Sequence, residues 1–111
     1  MANHRIFYTK ETPTNNSLVT VNYFLIYSYA DNKVILCVER YTELSVEPAS
    51  KRIAEVGIKR NNKPQNLFAG IWQAFLKYEP DLTEREMQQA ASRFWMYIDR
   101  MDVVFNWYLR T

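Results

Sequence analysis

From Thr83 to Arg110 the chain runs 28 residues without a glycine or a proline. Met87, Ala91, Phe94, Ile98, Met101, Phe105 and Tyr108 recur there at alternating steps of four and three. That is the spacing of a helix that buries one stripe, and it is close to a coiled-coil heptad. A straight helix of this length measures about 42 Å, whereas a compact domain of this size is about 34 Å across. Such a segment must therefore bend, break or project far enough to bury its end against a partner.

Chain length and composition set the frame for that helix. One domain of 111 residues buries a core without staples. A hydrophobic share of 48% with 15% aromatics argues against disorder. The net charge of +2 permits nucleic-acid binding without arguing for it. Cys37 is the sole cysteine, which excludes an internal disulfide and a multi-cysteine zinc site. No apolar run approaches the length of a membrane span, and the first residues lack the apolar core of a signal peptide. The expectation is a cytoplasmic protein without membrane contact.

Ahead of Pro48 the apolar pattern has period two. Residues 18–30 and 33–44 read as a β-hairpin about Asp31-Asn32, a pair that tolerates the positive φ of a two-residue primed turn. This register sets Tyr29 opposite Val34, Tyr27 opposite Leu36, Leu25 opposite Val38 and Tyr23 opposite Arg40, on an apolar core face. Asn22, Ser28, Lys33, Glu39, Tyr41 and Glu43 occupy the other face, interrupted by Phe24, Ile26, Ile35 and Cys37, which predicts half-solvation. Residues 5–9 supply a third strand. Residues 47–60 fit a short helix, with Pro48 in its first turn and Ala49, Ile53 and Val56 on one side. A strand through 53–58 is the alternative.

Beyond that segment helical periods dominate. Residues 64–78 form a helix with Leu67, Phe68, Ile71, Trp72, Phe75 and Leu76 inward, stopped by Pro80. Thr83 and Glu86 have capping-box spacing, and Leu82 with Met87 fits the flanking hydrophobic staple. The short connection makes 64–78 and 83–110 an antiparallel hairpin. Gly70 then falls near Ala91, where small residues let helices approach. The fold class is α+β, one domain over 1–111, with a small antiparallel N-terminal sheet packed against a C-terminal helical hairpin.

No residue pattern supplies catalysis. His4 lies near the terminus, Cys37 is mid-strand, and Glu39 and Glu43 lie about 13 Å apart along one strand. No nucleophile elbow, phosphate loop or zinc-binding helix motif occurs. The expectation is a non-enzymatic protein without cofactor or metal. Met96, Val103 and Trp107 share a second face of the long helix, flanked by Arg93 and Arg100. Met, Trp and Arg are types enriched at protein interfaces. The reading is a small protein-binding module that acts by surface burial, an adaptor or stoichiometric inhibitor in the style of phage inhibitors and immunity proteins. Its partner is another protein or a second copy, with the C-terminal helix forming a homodimer. The alternative is a nucleic-acid or RNA–protein surface built from Lys51, Arg52, Lys59, Arg60 and Lys63, five cations in one stretch.

Overall fold

The computed structural model describes residues 5–44, 47–58 and 64–101. Four strands and two helices follow one another in the order β1 (Arg5–Pro13), β2 (Leu18–Ser28), β3 (Lys33–Thr42), β4 (Ala49–Gly57), α1 (Pro64–Tyr78) and α2 (Glu84–Arg100). The strands form one antiparallel meander with spatial order β1-β2-β3-β4. Both helices pack on a single face, α1 over β4 and α2 over β1. The expected α+β class, the strand at the N-terminus and the helix over 64–78 are all present.

The hairpin register differs from the expected one by two residues. Ser28 pairs with Lys33 and Tyr27 with Val34, so Tyr29 to Asn32 form a four-residue loop. Within this loop only Asn32 has a positive φ, 52°, as at the end of a longer hairpin loop rather than in a primed two-residue turn. Tyr29 is consequently 72% exposed. A shift of two keeps every other side chain on its expected face, so Tyr23, Leu25, Val34 and Leu36 still form the core floor. Asn32 anchors the loop: Tyr27 donates to its Oδ1 at 2.8 Å, and its Nδ2 donates to the Ile58 carbonyl at 3.2 Å.

Residues 49–57 are a strand, not the favoured helix. Leu36 pairs with Ala54 but Cys37 pairs with Arg52, which leaves Ile53 as the extra residue of a β-bulge. The bulge turns both Ile53 and Ala54 toward the helices. Apolar side chains before and after it therefore fall out of alternation, and the positions 49, 53 and 56 imitate a helical stripe. Strand β1 carries the same device. Ile6 pairs with Phe24 and Tyr8 with Tyr23, so Phe7 is extra, and Phe7 and Tyr8 both face the helices.

Phe7, Phe68, Phe75 and Phe94 are each at most 1% exposed and fill the layer between sheet and helices. Phe7 meets Phe75 and Phe94 edge-on at centroid distances of 5.0 and 5.2 Å, the geometry aromatic quadrupoles favour. Trp72 reaches across from α1 to Phe94 at 5.2 Å. This aromatic layer, not close approach of small residues, joins the helices. Gly70 is exposed, and a Cβ there would meet nothing within 4 Å.

The capping box of α2 is formed. Glu86 N donates to Thr83 Oγ1 at 3.1 Å, and Thr83 N donates to Glu86 Oε1 at 3.0 Å. Leu82 packs on the main core, and Met87 is 38% exposed. The described helix ends at Arg100 with Met101 as C-cap, and residues 102–110 of the expected helix lie outside the described residues. At about 26 Å for 17 residues it fits the globule. Its buried row is Ala90, Phe94 and Ile98, followed by Met101. Ala91, about 60° round the helix from Phe94, is half-buried at the margin of this row, and Met87 in the first turn is exposed.

Candidate functional site

Of the five residues expected at a partner surface, the structure brings three together. Arg93, Met96 and Arg100 lie at i, i+3 and i+7 of α2, and all three are exposed. Helical geometry puts them on neighbouring turns of one side, away from Phe94 and Ile98. Met96 is 38% exposed. Among the described residues the ion pairs are Lys10–Glu79 and Lys33–Glu55, so no carboxylate engages either arginine. Val103 and Trp107 lie outside the described residues. Gln88, Gln89 and Ser92, with Arg85 and Arg93, line a concavity on the same helix, so the surface is polar around one thioether.

The basic stretch does not form one track where it is described. Lys51 and Arg52 are consecutive in β4, so their side chains leave opposite faces of the strand. Lys51 Nζ lies 5.7 Å from the centroid of the Tyr78 ring, a cation–π distance. Arg52 pairs across from Cys37 on the far face of the sheet. Lys59, Arg60 and Lys63 lie outside the described residues.

That far face holds a second buried cluster, Phe24, Ile35 and Cys37, with Ile6 and Ile26 packed against it. It is more closed than the half-solvated face expected. Beside it a polar ladder crosses three strands. Thr9 Oγ1 donates to Asn22 Oδ1 at 2.7 Å, and Asn22 Nδ2 donates to Glu39 Oε1 at 2.9 Å. Asn22 is thereby buried with its hydrogen bonds satisfied. A concavity of about 440 Å³ opens on Phe24, Ile26, Cys37, Glu39, Ser50 and Arg52. Burial pushes the Cys37 thiol up, opposed by the Arg52 charge, so the sulfur rests as a neutral thiol and not as a nucleophile.

A cluster that the residue pattern did not single out sits under the α1–α2 corner. Glu79 is buried and accepts from Tyr23 Oη at 2.6 Å and from Lys10 Nζ at 3.1 Å. Tyr8 Oη donates to Glu86 Oε2 at 3.3 Å. The sole signal in sequence was a tyrosine on the core face, since a buried phenol requires a partner. Burial, then the neighbouring Glu86 and Glu79 charges, push Tyr8 up to about 12. Burial and the hydrogen bond to Glu79 push Tyr23 up as well. The Thr83 backbone N–H holds Glu86 below the ordinary carboxylate value. These groups tie the helical corner to β1 and β2. Every buried side-chain nitrogen and oxygen among the described residues has a partner.

Among the described residues no three His, Cys, Asp or Glu side chains converge as metal ligands, and no helix is long and apolar enough to cross a membrane. The chain matches no protein-family model, no curated protein and no solved structure.

Proposed function

We propose that this protein is a small binding module that acts by covering part of another protein, as an adaptor or stoichiometric inhibitor does. The observation that supports this reading is Met96, an exposed thioether between two exposed arginines that have no carboxylate partner among the described residues. Methionine adapts to irregular apolar partners, and arginine adds directional hydrogen bonds to carboxylates and carbonyls. A helix fixed at its start by a full capping box and along its length by Ala90, Phe94 and Ile98 presents all three from an ordered backbone, so binding pays only for their side chains.

The test uses the full chain as bait beside a Met96→Asp, Arg100→Glu variant that keeps the parent's melting temperature. A protein retained stoichiometrically by the parent should be lost by the variant, with affinity falling at least tenfold. Retention of nucleic acid instead, with log affinity falling steeply against log salt and with no response to the α2 variant, would support the basic-segment alternative.

A further inference from the structure

The geometry points to the outer edge of β1 as a strand-addition site that takes an extended, acidic peptide segment of a partner protein. It rests on the protein-binding reading above and names the partner's chemistry. Strand order leaves β1 at an edge, with no strand beside it among the described residues. Thr9 to Pro13 are exposed. An edge strand presents a row of unpaired N–H and C=O groups, and an added peptide satisfies them.

Two defects set the length of the site. The bulge at Phe7 ends regular pairing on one side, and Pro13 has no N–H on the other. Tyr8 to Thr12 remain, five residues or about 17 Å. The lysine that would ordinarily block such an edge is ion-paired within the chain: Lys10 Nζ lies 3.1 Å from Glu79 Oε1.

Beside the edge lies a cleft of about 170 Å³ between β1 and α2, lined by Phe7, Tyr8, Thr9, Glu86, Gln89 and Arg93 among others. Its two charges are not equally available. Glu86 is committed to the Thr83 cap and to Tyr8. Arg93 has no ion pair among the described residues. A peptide in strand conformation would send alternate side chains into this cleft, where the guanidinium favours a carboxylate. A second copy fits less well. Alternation puts Tyr8, Lys10 and Thr12 of the five-residue window on the helix face, so a second strand of this sequence brings no carboxylate to Arg93. At the other edge, the β4 bulge at Ile53 interrupts the strand midway, and Lys51 is engaged by Tyr78.

A random heptapeptide phage library selected on the full chain tests this, followed by fluorescence anisotropy on a synthetic enriched peptide. Enriched peptides should carry Asp or Glu at one fixed position. Arg93→Glu should weaken binding at least tenfold, and Lys in place of the peptide's acid should restore it. N-methylation of alternate peptide amides should abolish binding. No enrichment, enrichment without an acid, indifference to Arg93→Glu, or tolerance of both N-methylation patterns would each overturn strand addition. Concentration-dependent dimerisation through β1 would overturn it in favour of a second copy. Peptide binding lost in Met96→Asp but kept in Arg93→Glu would overturn strand addition while supporting the protein-binding reading.

Discussion

The two edge strands carry the same defect and use it differently. In β1 the extra residue is Phe7, 1% exposed and in edge contact with both Phe75 and Phe94. In β4 the extra residue is Ile53, half-buried at the margin of the same core. A bulge redirects two successive side chains to one face; how much that stabilises depends on what the redirected pair meets. At β1 it meets the centre of an aromatic layer. At β4 it meets the side of α1. The lesson concerns edges generally: a local backbone irregularity acquires its energy from the tertiary contact it aims at.

Phe7→Ala breaks the comparison at its strongest point. Loss of a buried phenyl and the cavity left behind should lower stability by about 3–5 kcal/mol, measured by urea unfolding. Ile53→Ala should lower it by about 1–2 kcal/mol, because less of the side chain leaves water on folding. Equal losses at the two sites would refute the asymmetry.

Glu79 sharpens the β1 side. Glu79→Ala leaves the Tyr23 hydroxyl buried without its acceptor and should cost about 1–3 kcal/mol. The nearby phenols add a pH signature. A folded-state pKa raised above the unfolded value means a contribution that is whole below the ordinary tyrosine value near 10 and is lost as pH rises toward the folded value. With Tyr8 at about 12 and Tyr23 also raised, stability should fall between about pH 10 and 12. The Tyr8→Phe, Tyr23→Phe double variant should show a shallower fall. An unchanged alkaline profile would show that these hydroxyls do not couple to folding.

The smallest expected effect lies on α1, above β4. Gly70 is exposed with open space at its Cβ. Gly70→Ala should therefore raise stability by about 0.5–1 kcal/mol, through helix propensity and a less disordered unfolded chain. Destabilisation would restore the close helix approach that the spacing first implied.

Much of the architecture could be read from local pattern. Alternation gave β2 and β3 their faces, Pro64 and Pro80 bracketed α1, and Thr83 with Glu86 marked the start of α2. β4 does not show as a strand in its sequence, because its bulge erases the alternation that identifies one. Asp-Asn suits both two- and four-residue loops, and the choice between them follows from Asn32 bonding to Tyr27 and Ile58. At the candidate surface, Arg93, Met96 and Arg100 could be picked out because an exposed face shows in helical spacing. The β1–α2 cleft could not, since its two walls are some eighty residues apart in sequence.

Residue order alone therefore determined which segments are helix or strand wherever the hydrophobic period was unbroken, because that period is a property of neighbours along the backbone. Tertiary structure decided the bulge of β1 and the burial of Glu79 beneath the helical corner. Each of these is settled by contact between segments distant in sequence: Phe7 with Phe75 and Phe94, and Glu79 with Lys10 and Tyr23. Local spacing carries no record of such partners, and their desolvation and hydrogen bonding set the energies.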